Sequence, residues 1–220
     1  MGSTPRGGSP RREPLDDVSR QQVAVGEPAE NLADFPSISL SGLWFRAHSV
    51  SRSVWWFSSD GSGRFDLAEP HGTCYLGSSV GVAVRERLGR RLSSGPVPAA
   101  VADQMSVSRV RLRARVADST DRAAERFGVT RELGTITPYD LPQRWAAALH
   151  QSNHRGLRYW PRFAIAPDDL AVALFGKSGL GTRRGDPGPF TGRDALMAAG
   201  IPVVGVPRTL TITPAPSPPE

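Results

Sequence analysis

Four side chains between residues 46 and 86 have the types needed to bind and cleave a nucleotide. They are two arginines, a tyrosine and a glutamate: Arg46, Arg64, Tyr75 and Glu86. Arginines hold a phosphate or pyrophosphate by forked, charge-assisted hydrogen bonds, and a tyrosine offers a ring for stacking and a hydroxyl to donate. A neighbouring carboxylate can stabilise a positively charged, sugar-like transition state. Together these are the parts needed to cut a nucleotide at its glycosidic bond.

Each of the four residues also has a purely structural explanation. Arg46 follows an apolar stretch and could cap carbonyls or pair with an acid, and Arg64 could pair with Asp66 in a turn. Tyr75 lies in a predicted strand, where aromatic residues are common. Glu86 has an arginine on each side, as an exposed helical glutamate would have. Residue type and spacing leave both explanations open.

The sequence around these residues resembles the RES domain family, named for an arginine, a glutamate and a serine. The resemblance rests on ordered blocks, none of them specific alone: LWFRAH at 43–48, WFSS at 56–59, GRFD at 63–66, TCYLG at 73–77, the helix carrying Glu86, YDLPQRWA at 139–146 and GLRYWPR at 156–162. Where the family has its serine, this chain has Pro161, which offers neither a hydroxyl nor a backbone N–H. Ser152 and Ser178 are the candidates to replace that hydroxyl from nearby.

The resemblance implies an enzyme that degrades NAD by cleaving the nicotinamide–ribose bond. Water or inorganic phosphate would be the acceptor, which makes the chain an NAD glycohydrolase or an NAD phosphorylase. Glu86 and Arg46 would be catalytic, and Arg46, Arg64 and Tyr75 would bind NAD. NAD is then a substrate, and neither a cofactor nor a metal is expected.

The resemblance also implies a partner. Such proteins are typically toxins of a toxin–antitoxin pair, silenced by a helix-turn-helix antitoxin that blocks the cleft, so nucleic acid is contacted only through the antitoxin. A cytoplasmic location is expected because the sequence shows neither the apolar core of a signal peptide nor an apolar run of membrane-span length. Two alternatives stay open. One is a catalytically impaired RES-like module that binds a nucleotide or an antitoxin, which Pro161 favours. The other is a basic nucleic-acid-binding protein.

The 220 residues of the chain suffice for a single ordinary core. The strands and helices that must position the candidate site residues indicate one α+β domain. From the resemblance we expect a compact domain with a curved mixed β-sheet like that of ADP-ribosyltransferases, over residues 38–208. Residues 1–37 and the Pro-rich tail 209–220 contain few large apolar side chains, and we predict that both are disordered.

Two local patterns are clear. Ser78 and Ser79 predict the N-cap of a helix that runs to about Leu88 and is closed by Gly89, with Glu86 on a side face that could border a cleft. Residues 107–116 alternate apolar side chains with arginines, which is the strongest strand pattern in the chain.

The arginines of this strand, Arg109, Arg111, Arg113 and Arg115, are the best candidates for contact with nucleic acid. A cationic strand could track a phosphate backbone, but no aromatic residues are interleaved to stack on bases. A solvated or edge-protecting face is therefore favoured, with docking of a protein partner second.

The content of cysteine, histidine and long apolar runs excludes disulfides, cysteine-based metal sites and membrane spans. The net charge is +6, nearly all of it from arginine, since Lys177 is the only lysine. Cys74 is the only cysteine, so neither an internal disulfide nor a cysteine-based metal site can form. The four histidines match no metal-binding spacing, and no apolar run approaches the length of a membrane span.

Overall fold

The computed structural model describes residues 25–164, 166–181 and 190–205. Its strands are β1 (Ser37–Ser49), β2 (Trp56–Phe57), β3 (His71–Gly77), β4 (Val97–Pro98), β5 (Met105–Asp118), β6 (Gly156–Tyr159), β7 (Ala171–Lys177), β8 (Gly179–Leu180), β9 (Phe190–Thr191) and β10 (Val203–Val204). Its α-helices are α1 (Val80–Leu88), α2 (Ala99–Asp103), α3 (Asp140–Gln151) and α4 (Gly192–Ala198), with 3-10 helices at Gly89–Ser94, Arg122–Phe127 and Arg131–Gly134.

The main sheet is mixed and closes on itself. Its strand order is β1-β3-β7-β6-β5-β9, and β1 also pairs with β5, so that five strands form a ring. β5 and β6 run parallel, whereas the other neighbours in this sheet are antiparallel. The prediction of a single compact α+β domain with a mixed sheet is confirmed, whereas its likeness to ADP-ribosyltransferases stays a prediction.

β1 and β5 form a long two-stranded ribbon. They pair from Ser37 opposite Ala117 to Ser49 opposite Met105. Their inward side chains, among them Trp44 and Leu112, pack with side chains of β3 and β7 in one buried apolar cluster. The strand predicted for residues 107–116 is confirmed, and its arginines lie on the outer face.

Helix α1 begins and ends where the sequence predicts. Ser79 caps it, its hydroxyl oxygen accepting a hydrogen bond from Val82 N at 3.1 Å. Gly89 ends it at a φ of 54°, a conformation that favours glycine. Gly77 lets the helix approach β3, because a Cβ there would lie 2.6 Å from Ala83 N.

Residues 25–36 pack on the domain, and we call them the N-terminal strap. Leu32 and Phe35 are buried in the cluster that contains Trp145 of α3. Leu32 N donates to Ser152 Oγ at 2.9 Å, and Trp145 Nε1 donates to Gly26 O at 2.9 Å. The predicted boundary at residue 38 is therefore about a dozen residues too late. It rested on the low content of large apolar residues, which does not show that the few present here are buried against the domain. Residues 1–24 and 206–220 lie outside the described residues, and the disorder predicted there stays a prediction.

Candidate active site

A cleft of about 970 Å³ opens between the end of β1, the cleft side of β3, helix α1 and three connecting segments. The four side chains singled out in the sequence all line it: Arg46, Arg64, Tyr75 and Glu86. Its lining carries the arginines Arg46, Arg52, Arg64, Arg87, Arg90 and Arg162 against the acids Asp60, Asp66 and Glu86. Arginine thus outnumbers acid, and such a surface attracts anions.

Arg46 lies near the end of β1 on its inward side and is 8% exposed. Its guanidinium donates to Trp56 O at 2.7 Å, to Tyr75 O at 3.3 Å and to Cys74 Sγ at 2.9 Å. It caps carbonyls, as one of the structural explanations anticipated, and it also lines the cleft. Its Nε is buried and has no hydrogen-bond partner among the described residues. Within the described part of the chain Arg46 forms no ion pair, and a buried cation of this kind is suited to an incoming anion.

Arg64 is held in the loop between β2 and β3 and is 7% exposed. Its Nη1 donates to Ile136 O, and its guanidinium carbon lies 4.7 Å from the centroid of the Tyr139 ring. A guanidinium over an aromatic face is attracted by the ring quadrupole. The described residues include no ion pair between Arg64 and Asp66, so the alternative of a local pair in a turn is wrong.

Tyr75 uses its hydroxyl to hold the loop that carries Arg64. The hydroxyl donates to Asp66 Oδ1 at 2.8 Å and accepts from Phe65 N at 2.8 Å, while Asp66 Oδ2 accepts from Gly63 N at 2.9 Å. Asp66 is 4% exposed, and burial raises the pKa of its carboxyl against the lowering effect of these hydrogen bonds. Burial also raises the pKa of Tyr75 well above its ordinary value. Because the hydroxyl is occupied, only the ring of Tyr75 is available to the cleft.

Glu86 projects from the side of α1 into the cleft. Its Oε1 accepts a hydrogen bond from Phe163 N at 3.3 Å. Burial raises the pKa of Glu86, and the Phe163 N–H, followed by the charges of Arg64 and Arg162, acts in the opposite direction. A carboxylate in such a place exerts a stronger field than one in water, because fewer solvent dipoles screen it.

Sequence reasoning missed several side chains of the cleft. Tyr139, Tyr159 and Arg162 line it, and so does His48, whose Nε2 lies 3.0 Å from Ser108 Oγ. Burial is the main cause that lowers the pKa of His48, and Arg46 adds to it. All four lie inside blocks on which the family resemblance rests, so the blocks themselves were the available signal. Nothing local distinguishes which side chain of a block faces the ligand.

The segment around Pro161 lines the cleft, but Pro161 does not. Its neighbours Tyr159 and Arg162 are part of the lining, whereas Pro161 is buried outside it. Ser152 accepts from the strap, and Ser178 is hydrogen-bonded to Ser59 and Glu69, so neither supplies a hydroxyl to the cleft. The residues with a hydroxyl that do line it are Ser49, Ser51, Ser58, Ser62, Thr73, Thr137, Tyr75, Tyr139 and Tyr159, and of these the hydroxyls of Thr73 and Tyr75 are already bonded within the protein.

The described part of the chain shows neither a metal-binding cluster nor a membrane-spanning helix. In residues 25–164, 166–181 and 190–205 no group of three or more histidine, cysteine, aspartate or glutamate side chains is placed to hold a metal ion. Within the same ranges no helix has the length and apolar character required to cross a membrane.

Comparison with known proteins identifies a family and a solved structure of similar fold. A family model described as "RES domain" matches residues 43–191. A chain in the crystal structure of the M. tuberculosis MbcT–MbcA toxin–antitoxin complex has a similar fold, with a TM-score of 0.56 and 15% sequence identity, over 74% of this chain and 92% of that chain. No curated protein sequence matches this chain. At this identity the structural likeness shows the fold alone.

Proposed function

The chain belongs to the RES domain family, whose match covers residues 43–191, and on that premise we propose that it cleaves NAD at the nicotinamide–ribose bond as the toxin of a toxin–antitoxin pair. One observation carries the proposal. The two arginines, the tyrosine and the glutamate that match the family's blocks lie on four different segments, namely β1, the loop between β2 and β3, β3 and α1, yet they line one cleft.

The proposed reaction needs little acid–base chemistry. Nicotinamide is cationic in NAD and leaves as a neutral base, because the electron pair of the broken C1′–N1 bond stays on the ring nitrogen. The ribose becomes oxocarbenium-like, and the carboxylate of Glu86 balances the charge that develops there. An oxygen of water or phosphate then bonds to C1′, and an attacking water passes a proton to solvent.

The surroundings of Glu86 suit this role. The carboxylate must be ionised to act, and burial opposes ionisation by raising its pKa. The Phe163 N–H and the charges of Arg64 and Arg162 favour the ionised form. We therefore expect activity to fall in mildly acidic solution, at a higher pH than an exposed glutamate would give.

The buried arginines suit the anionic part of the substrate. We assign the pyrophosphate, or the attacking phosphate, to Arg46 and Arg64, since neither forms an ion pair with a carboxylate among the described residues. Tyr75 contributes its ring and, through its hydroxyl, the position of the Arg64 loop. The role of Tyr75 is thus mainly to position the loop.

The antitoxin part of the proposal rests on the family and on the fold neighbour. That neighbour was solved as a toxin–antitoxin complex, which supports a protein partner for this chain as well. A helix-turn-helix antitoxin that covers the cleft would keep NAD from Glu86. Co-expression with the protein encoded by the adjacent gene tests this pairing.

The experiment for the enzymatic part is to measure release of nicotinamide from NAD, in buffers with and without inorganic phosphate. The parent is compared with Glu86→Gln and with Glu125→Gln, a matched change at an exposed glutamate outside the cleft. We expect the parent and Glu125→Gln to release nicotinamide and Glu86→Gln to retain NAD binding with little turnover.

The outcomes separate the alternatives. Release that requires phosphate identifies a phosphorylase, and equal release in both buffers identifies a hydrolase. A folded parent that NAD stabilises against heat without consuming it would reject the active enzyme and support the impaired nucleotide-binding module. Full activity of Glu86→Gln would reduce Glu86 to a helix-surface residue.

A further inference from the structure

The outer face of the β1–β5 ribbon carries a row of arginines that the proposed reaction does not use. We call it the arginine face: Arg109, Arg111, Arg113 and Arg115 on β5, with Ser39 and Ser41 on β1. All six residues are exposed. Arg113 lies opposite Ser41, and Arg115 lies opposite Ser39. Because alternate residues of a strand project to one side, successive arginines are spaced by about 7 Å and the row is about 20 Å long.

Among the described residues, no ion pair compensates this charge. β1 contains no aspartate or glutamate, and the single acid of β5, Asp118, is buried and paired with Arg158 at 2.5 Å. Within the described ranges none of the four arginines forms an ion pair, and Arg115 Nε donates only to Ser37 Oγ at 2.9 Å. A solvated surface normally mixes both signs of charge. A few charged side chains are enough to prevent a strand edge from pairing with another molecule. Protection against aggregation therefore does not explain a full row of mutually repelling charges.

We propose that the arginine face binds the phosphodiester backbone of a nucleic acid without reading its sequence. Arginine guanidinium groups and serine hydroxyls are the donors that protein–DNA interfaces direct at phosphates. The face offers no row of aromatic rings for base stacking, which accounts for the lack of sequence reading.

An acidic protein is the less suitable occupant. Protein–protein interfaces are built around an apolar or aromatic centre. Here the one large apolar side chain among the exposed outward residues of the ribbon is Leu43, at 49% exposure, and Phe45 is half-buried against a neighbouring core cluster. The inference does not rest on the proposed reaction, since the arginine face is separate from the cleft lining. It departs from the expectation that nucleic acid is contacted only through an antitoxin.

The test is a salt titration with a short, labelled duplex DNA of mixed sequence, followed by fluorescence anisotropy. Arg111→Gln/Arg113→Gln is compared with Arg122→Gln/Arg155→Gln, which removes the same charge from exposed positions outside the face and the cleft. The logarithm of the affinity falls linearly with the logarithm of salt concentration, by about 0.9 per phosphate contact. We expect the first pair to reduce this slope by about 1.8 and the control pair to leave it unchanged.

Several results would overturn the proposal. Equal losses in the two pairs would mean attraction by net charge alone, and undetectable binding of the parent at about 0.15 M salt would rule out a physiological contact. A second titration uses poly-L-glutamate. If the first pair lost affinity for it but not for DNA, the face would be a protein-docking site. If the first pair aggregated in gel filtration while its soluble fraction bound DNA like the parent, the role of the arginines would be to prevent aggregation through the strand edge. The single variant Arg113→Gln repeats the comparison if the double variant is unstable, with an expected slope change of about 0.9.

Discussion

The hydroxyl of Tyr75 provides a direct test of how the cleft is held together. Tyr75→Phe keeps the ring but leaves Phe65 N without its acceptor and Asp66 Oδ1 without its donor, two groups now bonded at 2.8 Å each. A buried polar group left unsatisfied costs about 1–3 kcal/mol. Asp66 keeps its bond from Gly63 N, so we expect a total loss of about 3 kcal/mol. In a domain of this size, that loss lowers the melting temperature by about 6–12 °C, measured by thermal denaturation at neutral pH.

The matched control is Tyr139→Phe. Its hydroxyl makes no hydrogen bond that involves the described residues, and its ring stays against Arg64, so we expect a change below about 0.5 kcal/mol. The penalty of Tyr75→Phe must also shrink as the pH falls through the pKa of Asp66, because a protonated carboxyl no longer needs the donor. Equal melting temperatures for the two variants would refute the reasoning, because the hydrogen bonds of the Tyr75 hydroxyl would then contribute nothing to the stability of the loop.

Three further predictions concern the same cleft. Glu86→Gln should raise the melting temperature at neutral pH while it abolishes turnover, because burial raises the pKa of Glu86 and its carboxylate costs stability above that pKa. This gain should disappear in melts below the ordinary pKa of 4.5, where Glu86 is protonated in both states. Gly63→Ala should lower the free energy of unfolding in a denaturant titration by about 1–3 kcal/mol, since its Cβ would overlap the Asp66 carboxylate and the Tyr75 hydroxyl. Pro161→Ser should leave nicotinamide release unchanged, because Pro161 lies outside the cleft lining; faster release would show that a hydroxyl there reaches the substrate.

Local sequence patterns predicted those strands and helices that are determined by residues close together in the sequence. The alternation of residues 107–116 gave β5, and Ser79 with Gly89 gave the limits of α1, because side-chain periodicity and caps act within a few residues. The ring of strands was not predictable in this way. It depends on the pairing of β1 with β5, whose partners such as Ser37 and Ala117 are far apart in the sequence.

The sequence predicts which residues line the site, but it does not predict which atoms those residues contact. The ordered blocks indicated Arg46, Arg64 and Glu86, and the fold brings all three to the cleft. The sequence suggests Asp66 only as a partner for Arg64, yet its hydrogen bonds are to Tyr75 and Gly63. Which neighbour a buried carboxylate meets is decided by how the loop folds back on β3, and a single sequence contains no local signal for that.

The N-terminal strap has a practical consequence for anyone who expresses this protein in pieces. The family match begins at residue 43, and a cloning boundary placed there would delete the strap and the first six residues of β1. The shortened polypeptide would present Trp145 and Leu149 of α3, both fully buried in the intact domain, to solvent. Such an exposed apolar patch favours inclusion bodies over soluble product. Solubility trials should therefore start at or before Val25, and a synthetic peptide of residues 25–36 could be tried as a folding additive for shorter fragments.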